Sequence, residues 1–595
     1  MNQKPKPHLT GRVENFALLI SVAASVVLIG WIVWLCRCGI DFTDEGFYLN
    51  WIAHPSLYKA SHTQFGFIYH PLYLLFGGDI VLLRQANILI TLALAWLLFF
   101  SFFRTQAGRN EPADSWHPLP CAGLSYVLST SALALLHFWL PTPNYNSLAL
   151  QALLLCGIAL LLAKADSSRP SLLGWGLIGV SGWLAFMAKP TTAAALSVIV
   201  VLYLAVSGKM KLRHMTLSVA TAAALLLLSA WMIDGSIARF ALRLINGAAD
   251  VQKLQGGYAL SAILRWDDLN FTSSDKYTLA GSTLLVYLAS SLALSTHHIA
   301  RLLASLFTLL FSIAGLAVLT GAFPLSLSPA LILGPQFWAI PFGATLAVLA
   351  AAPRHWSALI SRRNWSLALC FVVLPYIFVV GHNGNYWSGA TGSTVFWVFV
   401  AIVILNMKAP SAKSWGAFLP LAAATQLGIA VLFSISTKYP YRQPQPLQQN
   451  SDIVQVAFSG SRLRLASGDA DYLHALGRLT EHGGFKPGDP MIDLTGRYPT
   501  SLYMIDARAV GLPWLCGGYP GSADMVAAAL DRVPNHTLKK AWILTEPTGP
   551  RKLSPDILER YDIDLVKNYI EVGTIDSPIG EYPDSYKQHL LKPVR

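Results

Sequence analysis

Three carboxylates fall within five residues in the stretch Asp41-Phe42-Thr43-Asp44-Glu45-Gly46-Phe47-Tyr48, directly after a long apolar run. Acids at that spacing can take a proton from a reacting group, or they can fill the first turn of a helix, where the dipole favours negative charge by roughly 0.3–1 kcal/mol. An acid at the centre of a bilayer costs roughly 2.5–3.5 kcal/mol, so this cluster must face water, headgroups or a protein cavity. Thr43 is the expected N-cap of a helix with Asp44 and Glu45 in its first turn. Lys189, the one charge between two later apolar runs, is either a snorkelling anchor or a holder of an anionic group.

The elements that must position these groups are membrane spans. Of 595 residues, 54% are hydrophobic and 12% charged, far less charge than the roughly 25% of soluble domains. Runs long enough to span, about 20 residues each, lie near 16–36, 80–103, 121–140, 147–163, 171–188, 190–207, 215–233, 278–296, 302–322, 330–352, 365–381, 391–407 and 415–435. The expected fold is an all-α polytopic membrane protein of about thirteen spans with a small C-terminal α/β outer domain. The first run follows Lys4, Lys6 and Arg12, is too long for a signal peptide and reads as an uncleaved span.

Lys and Arg are denser in the loops that alternate with a cytoplasmic N-terminus, and the acids fall on the opposite side. An odd span number then places everything after about residue 436 outside. Residues 1–435 hold 25 basic and 13 acidic groups and residues 436–595 hold 18 of each, so the net charge of +12 belongs to the membrane half. It is a topology signal and does not imply nucleic acid. The six cysteines form no disulfide framework.

The first outer loop, about 41–78, is aromatic and reads as two short helices along the outer interface. Residues 234–277 carry mixed charges, among them Arg239, Arg243, Asp250 and Arg265, with an amphipathic helix from Ile237 to Ile245. That loop is either a solvated surface or the far wall of a site over the first loop. The turn 381–392, rich in glycine, reads as an irregular loop dipping toward a cavity. The expected domains are 1–435 in the membrane, a Pro/Gln linker at 436–450, and 451–595 outside. In the last, helices are expected at 469–482, 522–532 and 554–561, with strands at 490–494, 541–545 and 569–572. It shows no metal-ligand spacing, phosphate loop or Ser/His/Asp constellation.

The pair Asp44-Glu45 closely followed by Phe47-Tyr48 after the first span resembles the signature of the C-type superfamily of membrane glycosyltransferases, which includes protein O-mannosyltransferases, lipid A aminoarabinose transferase and oligosaccharyltransferases. His70-Pro71-Leu72-Tyr73 ahead of the second span, Arg84 at its start, Lys189-Pro190 and an outer soluble domain are also similar. In the aminoarabinose branch a Lys-Pro-Pro stands where Tyr69-His70-Pro71 stands here. The resemblance implies inverting transfer of a sugar from a polyprenyl-phosphate donor to a hydroxyl of a lipid, glycan or protein, on the outer face of a bacterial inner membrane. Asp44 would be the base and Glu45 would orient it, orient the sugar or hold a metal. Asp41, Tyr48, His70, Arg84, Lys189 and Arg265 would bind substrate, the cations meeting the phosphate. Some branches use a divalent metal and others do not. The competing reading is a secondary transporter or flippase for a lipid-linked or small solute, which calls for ionisable groups near mid-span and broken helices.

Overall fold

The computed structural model describes residues 9–110, 118–256, 272–322, 334–351, 362–408, 415–456, 458–580 and 582–594. In chain order the first ten helices are α1 (Leu9–Leu35), α2 (Asp44–Ala53), α3 (Phe65–Leu75), α4 (Ile80–Asn110), α5 (Pro118–Ser129), α6 (Tyr145–Leu162), α7 (Arg169–Ala188), α8 (Pro190–Val206), α9 (Leu212–Asp234) and α10 (Ile237–Lys253). Apolar helices then follow at Ser273–Leu294, His298–Leu319, Pro335–Ala351, Arg362–Val379, Val395–Lys408 and Leu419–Lys438.

Among the described residues nine helices are long and apolar enough to cross a membrane, or ten if Tyr386–Ser393 and Val395–Met407, bent 69° from each other, form one span. Such a chain is an integral membrane protein. Shorter apolar helices stand at Pro190–Val206, Gln336–Ala351 and Asn364–Val379, where the sequence places three further spans. The expected irregular turn at 381–392 is the short arm of the bent pair. Side-chain hydrogen bonds join spans where lipid offers no alternative partner: Ser21 meets Ser312 at 2.9 Å, and Gln426 donates to the Ser21 carbonyl at 3.0 Å and to Ser25 at 2.9 Å.

Local sequence sets the helix ends nearest the site. Asn144 accepts from the amides of Asn146 and Ser147 at 2.8 and 3.0 Å, and Ser147 reciprocates, so a capping box starts α6 directly after Pro141-Thr142-Pro143. Lys189 separates α7 from α8, and Pro190 takes the first position of α8, where a missing N–H costs nothing.

The last span runs to Lys438, so the connecting segment begins at Tyr439. Beyond it β1 (Asp452–Gln455) and β2 (Arg462–Leu465) form an antiparallel ribbon. The five strands β3 (Pro490–Asp493), β4 (Arg508–Ala509), β5 (Trp542–Thr545), β6 (Tyr569–Asp576) and β7 (Lys587–Pro593) form one sheet in the order β4-β3-β5-β7-β6. β3 runs parallel to β4 and β5, and β7 runs antiparallel to both its neighbours. The helices observed at Ser467–Gly483 and Ser522–Leu530 and the 3-10 helix Pro555–Tyr561 match the expected positions.

This C-terminal unit is spliced onto the loop between α1 and α4. Thr500 donates its amide to the Phe42 carbonyl at 3.2 Å and its hydroxyl to the Asp41 carbonyl at 2.7 Å, and the Asn50 side chain donates to the Pro499 carbonyl at 2.8 Å. A Cβ on Gly46 would lie 2.1 Å from the Thr500 amide, so only glycine permits this approach. Consequently α2 is buried along nearly its whole length between the bundle and the C-terminal unit; it does not lie along an open interface as its sequence suggests.

Candidate functional site

The acidic run divides by depth. Glu45 is sealed inside, its carboxylate 2.8 Å from Arg84 Nη2 and 2.9 Å from Arg84 Nε, with the Thr142 hydroxyl donating to it as well. The remaining donors of Arg84 go to the Cys36 carbonyl at 2.7 Å and the Gly39 carbonyl at 3.1 Å. With Arg84 at 0% and Glu45 at 1% exposure, this pair ties α2 to α4 and to the end of α1. Arg84 and Glu45 are thus both engaged in one buried knot, and neither side chain faces open space. A buried pair of this kind persists because every donor is satisfied.

Asp41 lies two residues ahead of Thr43, the N-cap of α2. Its carboxylate accepts the Glu45 amide at 3.1 Å and the Thr43 hydroxyl at 2.9 Å, while Glu45 accepts the Asp41 amide at 3.2 Å, so the two acids hold each other's backbone across the start of α2. Thr43 occupies the expected cap position without capping, because its hydroxyl points back to Asp41. Burial, with Asp44 close by, pushes the Asp41 carboxyl up to about 7. Asp41 also lines a small cavity between the two units, together with Thr43, Arg442, Asp469, Arg497 and Tyr498. Asp469 there is 4% exposed and burial lifts it to about 7.

Asp44 remains accessible. It is 26% exposed and meets Arg442 Nη1 at 3.2 Å, and the Tyr441 hydroxyl bonds to the same carboxylate. Arg442 Nη1 also donates to the Thr43 hydroxyl at 2.6 Å, its guanidinium lies 4.7 Å from the Tyr441 ring centre, and its backbone adopts φ +53°, a left-handed conformation uncommon outside glycine. On the other side Tyr48 packs edge to face on Tyr145 at 5.9 Å with their hydroxyls hydrogen-bonded, and both rings feel the Asp44 charge.

Tyr145 links this carboxylate to Lys189, whose ammonium sits 5.9 Å from the Tyr145 ring centre and 5.0 Å from that of Phe378. The ammonium donates to the Phe378 carbonyl at 2.5 Å and to Asn146 at 3.2 Å. Lys189 is buried and, among the described residues, pairs with no carboxylate; burial lowers its pKa. An ammonium so placed is stabilised by an arriving anion. Close by, His137 packs between Phe138 and Gly392 of the bent segment, and its Nε2 is buried without a hydrogen-bond partner.

Of the residues singled out by sequence, the fold gathers Asp44, Tyr48 and Lys189 around Tyr145, and puts Asp41, Glu45 and Arg84 into the support beneath. His70 stands apart, its Nδ1 2.7 Å from the Ile52 carbonyl at the end of α2. Arg265 lies outside the described residues. Sequence reasoning passed over Arg442, Tyr441, Tyr145 and His137. For Arg442 a signal existed, a lone cation in a proline-rich segment directly after the last apolar run. Among the described residues no group of three or more His, Cys, Asp or Glu could hold a metal ion. No family model, no curated protein and no solved structure matches this chain.

Proposed function

We propose that the chain is a membrane glycosyltransferase of the C-type kind, with about thirteen spans, the N-terminus in the cytoplasm of a bacterial cell and the C-terminal unit outside the inner membrane. It moves a sugar from a polyprenyl-phosphate donor to a hydroxyl of a lipid, glycan or protein. Asp44 takes the acceptor proton as the acceptor oxygen bonds to the anomeric carbon. The bond from that carbon to the phosphate oxygen breaks on the opposite face, inverting the centre, and its electron pair leaves with the phosphate. Lys189 neutralises the phosphate, Arg442 and Tyr441 orient Asp44, and Tyr48 and Tyr145 form the wall between proton acceptor and anion holder.

The observation that carries this reading is the division of the acidic run. Of the run only Asp44 is left accessible, and the Tyr48–Tyr145 pair stands between it and a buried ammonium that, among the described residues, pairs with no carboxylate. The test is transfer from radiolabelled polyprenyl-phosphate sugars in membranes, wild type against Asp44→Asn at matched expression. Lost transfer with unchanged thermal stability supports the base; normal transfer overturns it.

A transporter or flippase of lipid-linked solute is favoured by one feature, the 69° break between Tyr386–Ser393 and Val395–Met407, since discontinuous helices line solute paths. Movement of labelled lipid across vesicle membranes without any glycosylated product would select it.

A further inference from the structure

Helix α10 is amphipathic in the reverse sense of a helix on a soluble protein. Arg243 and Asp250, with Phe240 and Gly247, face the protein, while Arg239, Gln252 and Lys253 are exposed. Arg243, nearly fully buried, pairs with Asp234 at 2.7 Å and donates to the Tyr58 carbonyl. Its own carbonyl accepts the Ser61 amide at 3.1 Å, and Gly247 lies so close to Ser61 that a Cβ would come within 2.2 Å of its backbone. Asp250 pairs with Arg532 of the C-terminal unit, and Lys253 approaches the same carboxylate at 3.6 Å. One face of α10 is thus bonded both to the loop between α1 and α4 and to the C-terminal unit.

The opposite face is apolar and open. Ile237 and Ile245 are each 62% exposed and Leu242 55%, with the exposed alanines Ala241 and Ala249 continuing the stripe. Two residues, Gly235 and Ser236, separate α10 from α9, a span with little of its surface covered by protein, and Trp231 and Met232 at that end of α9 are exposed too. The open stripe therefore continues the lipid-facing surface of a span at the level where that span ends.

We infer that α10 lies in the headgroup region with its apolar stripe in the acyl chains of the adjacent leaflet, and that it fixes the height of the first outer loop and of the C-terminal unit above the lipid. The occupant of the stripe is phospholipid, as the continuity with α9 requires and as is usual for helices with one apolar face at a membrane surface. Arg239 is exposed in the first turn, and a side chain of that length can snorkel toward headgroup phosphates. This inference stands whether or not the chain transfers sugars.

The experiment is spin labelling of the full chain in vesicles of phosphatidylethanolamine and phosphatidylglycerol. All six native cysteines are buried, so single substitutions Ile245→Cys and Ala249→Cys direct the label, with unlabelled wild type as background and Val566→Cys, at a site 92% exposed in the C-terminal unit, as the aqueous reference. The expected result is that dissolved oxygen relaxes the labels at 245 and 249 more than a water-soluble nickel chelate does, with the order reversed at 566. Nickel winning at 245 and 249 would place the stripe in water and overturn the inference. Labels immobilised and shielded from both reagents would also overturn it, by showing a protein segment on the stripe. Ala249→Cys removes only small side-chain contacts, so it decides the matter should Ile245→Cys fail to fold.

Discussion

Asp44 and Glu45 are chain neighbours, each ion-paired with an arginine, and they sit in opposite environments. The Glu45–Arg84 pair is sealed at 1% and 0% exposure, while Asp44 and Arg442 are 26% and 20% exposed. Successive residues on a helix point about 100° apart, so one peptide unit turns the first carboxylate toward Arg442 and solvent and the second into the interior. The sealed pair supplies rigidity and the open pair supplies a carboxylate that can exchange protons.

The comparison breaks most visibly if the sealed pair is cut. Arg84→Ala leaves a buried carboxylate without its cation, with an expected loss of about 3–5 kcal/mol, read as loss of folded protein in detergent on size-exclusion chromatography. A well-folded Arg84→Ala protein would mean that Glu45 is not the foundation described. Cutting the open side should instead spare the fold: Asp44→Asn is expected to lower transfer by roughly 10²–10⁴ with an unchanged melting temperature.

A third effect belongs to the cavity beneath. Asp41 and Asp469 are both held near 7 by burial, Asp41 also by Asp44, against about 3.9 in an unfolded chain. Between about pH 4 and pH 7 the folded protein keeps protons that the unfolded chain has released, so stability falls as pH rises through that window and levels off above it. Melting of the purified protein should therefore drop from pH 5 to pH 7, and Asp469→Asn should flatten the slope; a melting temperature rising with pH would contradict both assignments. The smallest effect is expected from Arg442→Ala. A partly exposed pair contributes less than about 1 kcal/mol to stability, and loss of an orienting partner on that scale lowers transfer by up to about fivefold, measured as turnover at saturating donor.

The helices were legible because a bilayer forces long apolar runs, and the described residues are helical at each position where the sequence places a span. Asp44 could be singled out because acids at the end of a span are rare. The fates of Asp41, Glu45 and Arg84 could not be read, since all three carry charge and only contacts between distant segments decide which charges are consumed. Arg442 reaches Asp44 across 398 positions of sequence, and no local pattern encodes such a pair. The α10 helix was visible as amphipathic, yet the sequence left open which face is wet. Arg243 and Asp250 are buried against Tyr58 and Arg532 while Arg239 and Lys253 stay exposed, so the solvated-surface expectation holds for only part of its charges. Strand β7 escaped because Lys587-Gln588-His589-Leu590 is polar and acquires its strand only by pairing with β5 and β6.

The hydrogen bond from Thr500 to the Asp41 carbonyl spans 459 positions, which puts a clock on biogenesis. At roughly 5–20 residues per second, the acidic loop waits between about twenty seconds and a minute and a half for the segment that completes it. For most of that interval Asp44 lacks Tyr441 and Arg442, and to its end the loop lacks the backing of Thr500. A truncated product can therefore insert without becoming competent, and competence is conferred late in translation.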